Sequence, residues 1–93
     1  MSQMVTTVSR MDTSESIARQ VAVELRAAMA SAGVSQRDMA AETGIPLVTL
    51  SRRLTGTGKG FTLDEVAMVA SVLGLGLTEV VLRAERATRS AAA

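Results

Sequence analysis

Seven glycines, all between residues 33 and 76, cut the chain into short segments, and this punctuation restricts the fold more than any other feature. Glycine suits the residue just past a helix end, where the backbone turns left-handed. Gly33, Gly44, the Gly56-Gly58-Gly60 group and the Gly74-Gly76 pair each fall where a run of helix-spaced apolar residues stops. The segments between them read as helices joined by short turns.

The helix starts are marked too. Asp12 with Glu15 has capping-box spacing and opens a first helix, in which Ile17, Val21, Leu25, Ala28 and Met29 share a face. Ser35, with Asp38 in the reciprocal position, opens a second helix whose Met39, Ala40 and Thr43 face inward. At about two turns it is too short to be stable alone and must be held by its neighbours. Pro46 fits the first turn of a third helix, along which Leu47, Leu50 and Leu54 form one apolar stripe. Thr62 with Glu65 is a full capping box for a fourth, and Phe61 before it is a staple residue. Leu63, Val66, Ala67, Val69, Ala70 and Leu73 make that helix apolar almost all round, as expected of a buried central element. A fifth is expected from Leu77 to Arg89.

Residues 1–11 have no helical period and read as a flexible tail, with room for a short strand at Val5–Val8. Residues 90–93 are expected to fray. The expected architecture is thus a single all-α domain of five helices over residues 12–89.

Missing residue types narrow the function. With one Phe and no Trp or Tyr, the core is built from Leu, Val, Ile, Met and Ala, and Met29, Met39 and Met68 act as fillers. The chain has no Cys and no His. Disulfides, thiolate chemistry, an ordinary zinc site and a catalytic triad all lack their ligands or nucleophiles. The usual general base near neutral pH is missing as well. We therefore expect no enzyme, no cofactor and no metal. No apolar run approaches the roughly 20 residues of a membrane span, and Met1–Met11 has no signal-peptide core, so a cytoplasmic protein is expected. The net charge is only +1, so any attraction for nucleic acid has to be local.

Such a local signal exists. Gln36 opens the second helix, Ala40 lies four residues on, Gly44 eight on and Leu50 fourteen on. Ala40 is small enough for the next helix to cross closely. Gly44 supplies a sharp left-handed turn. Ile45 and Leu50 anchor the third helix, whose outer face is then Val48, Thr49, Ser51, Arg52 and Arg53. Gly44 to Gly60 holds three basic residues, Arg52, Arg53 and Lys59, and no acidic one. Arginine grips guanine O6 and N7 through two hydrogen bonds, and apolar groups touch the thymine methyl. Backbone N–H groups and polar side chains at helix starts suit phosphates.

The stretch SQRDMAAETGIPLVTLSRRLTG, followed by FTLDEVAMVASVLGL, resembles the lambda-repressor-like family of phage repressors, Cro proteins and bacterial XRE-type regulators. The resemblance covers about Ile17 to Arg86. It implies a compact five-helix DNA-binding domain whose second and third helices form a helix-turn-helix that enters the major groove of double-stranded DNA. It places Gln36 on phosphate or behind the third helix, Leu47, Val48 and Arg52 at base-reading positions, and Thr49 and Arg53 on phosphate or base. Lys59 falls on the DNA backbone, and Arg37, Pro46 and Ser51 complete the expected interface. Two departures stand out. Leu47 and Val48 are apolar where many relatives are polar, and Arg53 occupies a usually apolar position. Either Arg52 or Arg53 is then the main base reader.

The resemblance implies a transcriptional regulator, most simply a repressor of the phage Cro or immunity type that occupies an operator and excludes polymerase. No ligand-sensing domain is expected, so no small-molecule effector is either. The expected location is the nucleoid of a bacterial host. A homodimer through Val80, Val81 and Ala84 of the fifth helix is one expectation, and closure of the core by the same residues is the other. The alternative function is a protein-interaction module of antitoxin type. Arg83, Arg86 and Arg89 read as a solvated face, and Arg10 reads as part of the flexible tail, with a minor-groove arm as the alternative.

Overall fold

The computed structural model describes the backbone of residues 2–92 and the side chains of residues 17–90. Five helices follow one another: α1 (Ser2–Ala32), α2 (Gln36–Thr43), α3 (Leu47–Thr55), α4 (Leu63–Val72) and α5 (Leu77–Ala92). The long α1 packs most extensively on α5, and α3 and α4 are held through α1, α2 and α5. At 1.5 Å per residue, α1 is about 46 Å long. It accounts for the longest dimension of the molecule, 49 Å against 23 and 18 Å.

Local chemistry sets the ends. Beyond α1, the Gly33 N–H donates to the Ala30 carbonyl and the Val34 N–H to that of Met29. The same pair of bonds closes α3 at Gly56 and Thr57, and α4 at Gly74 and Leu75. Each pair satisfies carbonyls that the helix itself leaves open. At the starts, the Ser35 Oγ accepts from the Asp38 N–H at 3.0 Å. Thr62 and Glu65 form the complete reciprocal box expected of them.

The core is one aliphatic cluster. Val21, Leu25 and Met29 of α1 meet Met39 of α2, Ile45 of the turn and Leu50 and Leu54 of α3. Val66, Val69 and Ala70 of α4 and Val80 and Ala84 of α5 complete it. Phe61 packs against this cluster from just before α4, as a staple residue does.

Four features differ from the sequence reading. The helix expected from Asp12 starts at Ser2, so residues 2–11 continue α1 rather than forming a strand or an irregular tail. They contain no Gly or Pro, and extending an existing helix adds one bond per residue fixed. Asp12, Glu15 and Arg10 lie outside the described side chains. At the other end α5 runs on to Ala92, past the expected stop at Arg89. Pro46 sits one position before α3, as its N-cap, rather than inside the first turn. Finally, α4 is not buried all round. Leu63 is 70% exposed, and Met68 and Val72 are also exposed, because neighbours cover only the Val66-Val69-Ala70 side. Met68 is therefore not a core filler, whereas Met29 and Met39 are.

Candidate nucleic-acid interface

Positioning of α3 begins in the turn after α2. Gly44 has φ +78°, a conformation most side chains avoid, and its N–H donates to the Ala40 carbonyl at 2.9 Å. Thr43 stitches the turn together: its Oγ1 donates to the Met39 carbonyl at 2.8 Å and accepts from the Ile45 N–H at 3.2 Å. Ile45 is buried, so the chain re-enters the core before Pro46 starts α3. From there Leu50 and Leu54 are fully covered, and the opposite side of α3 is free.

That free side meets the start of α2 along an open cleft of about 640 Å³. Gln36 and Arg37 border it from α2, and Leu47, Val48, Ser51 and Arg52 from α3. Six of the predicted contact residues thus share one surface. Ser35, not predicted there, lies on its rim, and its N-cap pattern was the available signal. Val48 is the most open of the apolar members at 67%, with Leu47 at 38%. The stripe expected along Leu47, Leu50 and Leu54 therefore holds only for the last two. Leu47 precedes the turn that Leu50 buries and remains at the cleft. Arg37, Pro46 and Arg52 are exposed, and Gln36, Thr49 and Ser51 are half-buried.

Arg53 is not on this surface. Its Nε donates to Glu65 Oε1 at 3.0 Å, and its Nη1 donates to the Lys59 carbonyl at 3.2 Å. The Arg53 and Glu65 side chains are only 16% and 17% exposed. Arg53 lines a separate recess with Ala18 and Ala22 of α1 and Gly56 and Gly60 of the loop. Successive helical residues point about 100° apart, so Arg52 and Arg53 face different surroundings. Arg53 is half-buried because its aliphatic stem occupies an apolar position while its head reaches Glu65. Of the two arginines, Arg52 is the one that is exposed and borders the cleft.

Glu65 holds the other end of this link. Its Oε1 also accepts the Thr62 N–H at 2.9 Å, and its own N–H donates to Thr62 Oγ1 at 3.1 Å. The Thr62 N–H holds the carboxyl below a glutamate's ordinary range, the hydrogen bond and charge of Arg53 act the same way, and partial burial opposes them. Lys59 is exposed in the loop between α3 and α4, beyond the cleft residues.

The family model for the Cro/C1-type HTH DNA-binding domain matches residues 24–82, more than half of the chain. The chain belongs to this family. The match takes in the second part of α1, all of α2, α3 and α4, and the first turns of α5. No curated protein and no solved structure matches the chain at a significant level. As a Cro/C1-type domain it is an all-α, DNA-binding helix-turn-helix protein of the regulator class.

Burial bears on the two expectations for the fifth helix. Val80 is 1% exposed and Ala84 is 0% exposed, so neither is available for a dimer surface. They belong to the core cluster, and Val81 beside them is half-buried. The long α1 packs along α5, so these residues close the core instead. Arg83 and Arg89, by contrast, lie on a solvated face, near Glu79 and Glu85 at 2.6 and 4.0 Å. Exposed pairs of this kind contribute little to stability.

Proposed function

We propose that this protein is a sequence-specific regulator that binds double-stranded DNA through the major groove and represses transcription by occupying an operator, in the manner of phage Cro and immunity repressors. The observation that carries the reading is the cleft that sets the exposed guanidinium of Arg52 beside Val48 and Leu47, on the free side of a helix anchored by Leu50 and Leu54. A helix so anchored presents a rigid edge to the groove. Arg52 reads guanine by paired hydrogen bonds, and Val48, with Leu47, reads a thymine methyl. Gln36, Arg37, Pro46, Thr49 and Ser51 serve the flanking phosphates, and Lys59 follows the backbone from the α3–α4 loop. Arg53 takes no part in base contact. The proposed place of action is the nucleoid of a bacterial cell.

Selection from a random duplex library tests this directly. The unsubstituted protein should enrich a motif containing a guanine and a neighbouring thymine, and Arg52→Ala should lose the guanine preference. If no sequence is enriched at physiological salt, the regulator reading fails.

A further inference from the structure

We infer that Arg53 is a positioning residue for DNA binding, which fixes the loop that carries Lys59 and so places the Lys59 ammonium against a phosphate. The inference rests on the DNA-binding reading above and adds a residue that does not itself reach the DNA.

Gly56, Gly58 and Gly60 make up three of the seven loop residues, and residues 56–60 are all exposed. Glycine-rich backbone loses more conformational freedom on ordering than any other, so such a loop needs an external tie. Arg53 is that tie. One guanidinium face is spent on Glu65 at 3.0 Å, and a second N–H holds the Lys59 carbonyl at 3.2 Å. Glu65 is itself fixed by the Thr62 cap, so the anchor is the rigid first turn of α4. The bond reaches the backbone of the very residue whose side chain carries the positive charge. Ordering that backbone before binding removes an entropy cost that the complex would otherwise bear. Lysine at position 53 would keep the charge, but its single ammonium lacks the planar fork that lets Arg53 hold both partners.

A double-mutant cycle tests the inference. Affinity for a mixed-sequence duplex of about two helical turns is measured against salt for the unsubstituted protein, Arg53→Met, Lys59→Gln and the double variant, with Tm for each. Methionine keeps the apolar stem and removes the fork. Lys59→Gln should lower the salt slope by about 0.9, the loss of one phosphate contact, and weaken binding roughly fivefold to tenfold at 0.1 M salt. Arg53→Met should reproduce both changes, and the double variant should match either single one. Glu65→Gln keeps both cap bonds and removes the charge facing Arg53, and should move the slope in the same direction even if Arg53→Met does not fold. Additive slope losses in the double variant would mean that Arg53 contacts phosphate itself and would overturn the inference. So would a fall in Tm with an unchanged salt slope. Absence of binding by the unsubstituted protein would instead remove the DNA reading and this inference with it.

Discussion

Two adjacent arginines on α3 carry different chemistry, and their environments decide which does what. Arg52 is exposed at the cleft and Arg53 is tied to Glu65 and the Lys59 carbonyl. Arg52→Ala should leave stability within about 0.5 kcal/mol, as most surface substitutions do. Arg53→Ala should cost roughly 1–3 kcal/mol, because it removes hydrogen bonds made by a charged group in a partly covered site. Urea denaturation of the two variants gives both numbers. Gly44 allows a second prediction at this scale. Open space surrounds the place where a Cβ would sit, so Gly44→Ala meets no clash and pays only for φ +78°. The expected loss is about 1–2 kcal/mol by the same denaturation, and Gly44→Asn should lose less. The sequence made the need for glycine at position 44 plain, since the signal is local. It did not disclose the partner of Arg53, which lies twelve residues away and is legible only once α3 and α4 are packed.

At the scale of elements, caps and closures were readable and covered faces were less so. Ser35, Thr62, Gly33, Gly56 and Gly74 act within a few residues of themselves, and each of them falls beside a helix end. The start of α1 had no such marker, because nothing in residues 2–11 forbids helix. The exposure of Leu63, Met68 and Val72 and the burial of Val80 and Ala84 depend on which helix lies opposite, which periodicity within one helix does not specify. The Thr62–Glu65 box has a consequence for pH. Its carboxyl is held below the ordinary glutamate value in the folded chain. A group depressed in this way stabilises the fold above its unfolded value, and that contribution is lost as pH falls through the folded value. Glu65→Gln should therefore be less stable than the unsubstituted protein at neutral pH. The gap should close as the pH drops below the usual carboxylate range, as followed by denaturation at a series of acid pH values. A constant gap down to the most acid point would contradict the role given to the charge.

As a whole molecule, the described residues form a single aliphatic core with the α2–α3 cleft on one side of it. Its net charge of +1 gives no broad attraction for DNA. On the proposed reading the affinity comes from a few cations on the α2–α3 side and its loop, carried by a core that α1 and α5 close. The family fold supplies the scaffold, and the residues on that face determine what is recognised. The alternation of apolar residues and glycines made the five-helix frame legible. Which arginine lies at the cleft became legible only from the packing, which leaves Arg52 there and pairs Arg53 with Glu65. The most direct measurement is guanine methylation interference on the selected duplex, comparing the unsubstituted protein with Arg52→Ala. Methyl groups on N7 project into the major groove and block a bidentate arginine. Interference at one guanine per bound protein, absent with Arg52→Ala and kept with Arg53→Ala, is the expected result. Interference unchanged by Arg52→Ala, or found only at adenine N3 in the minor groove, would contradict major-groove reading by α3.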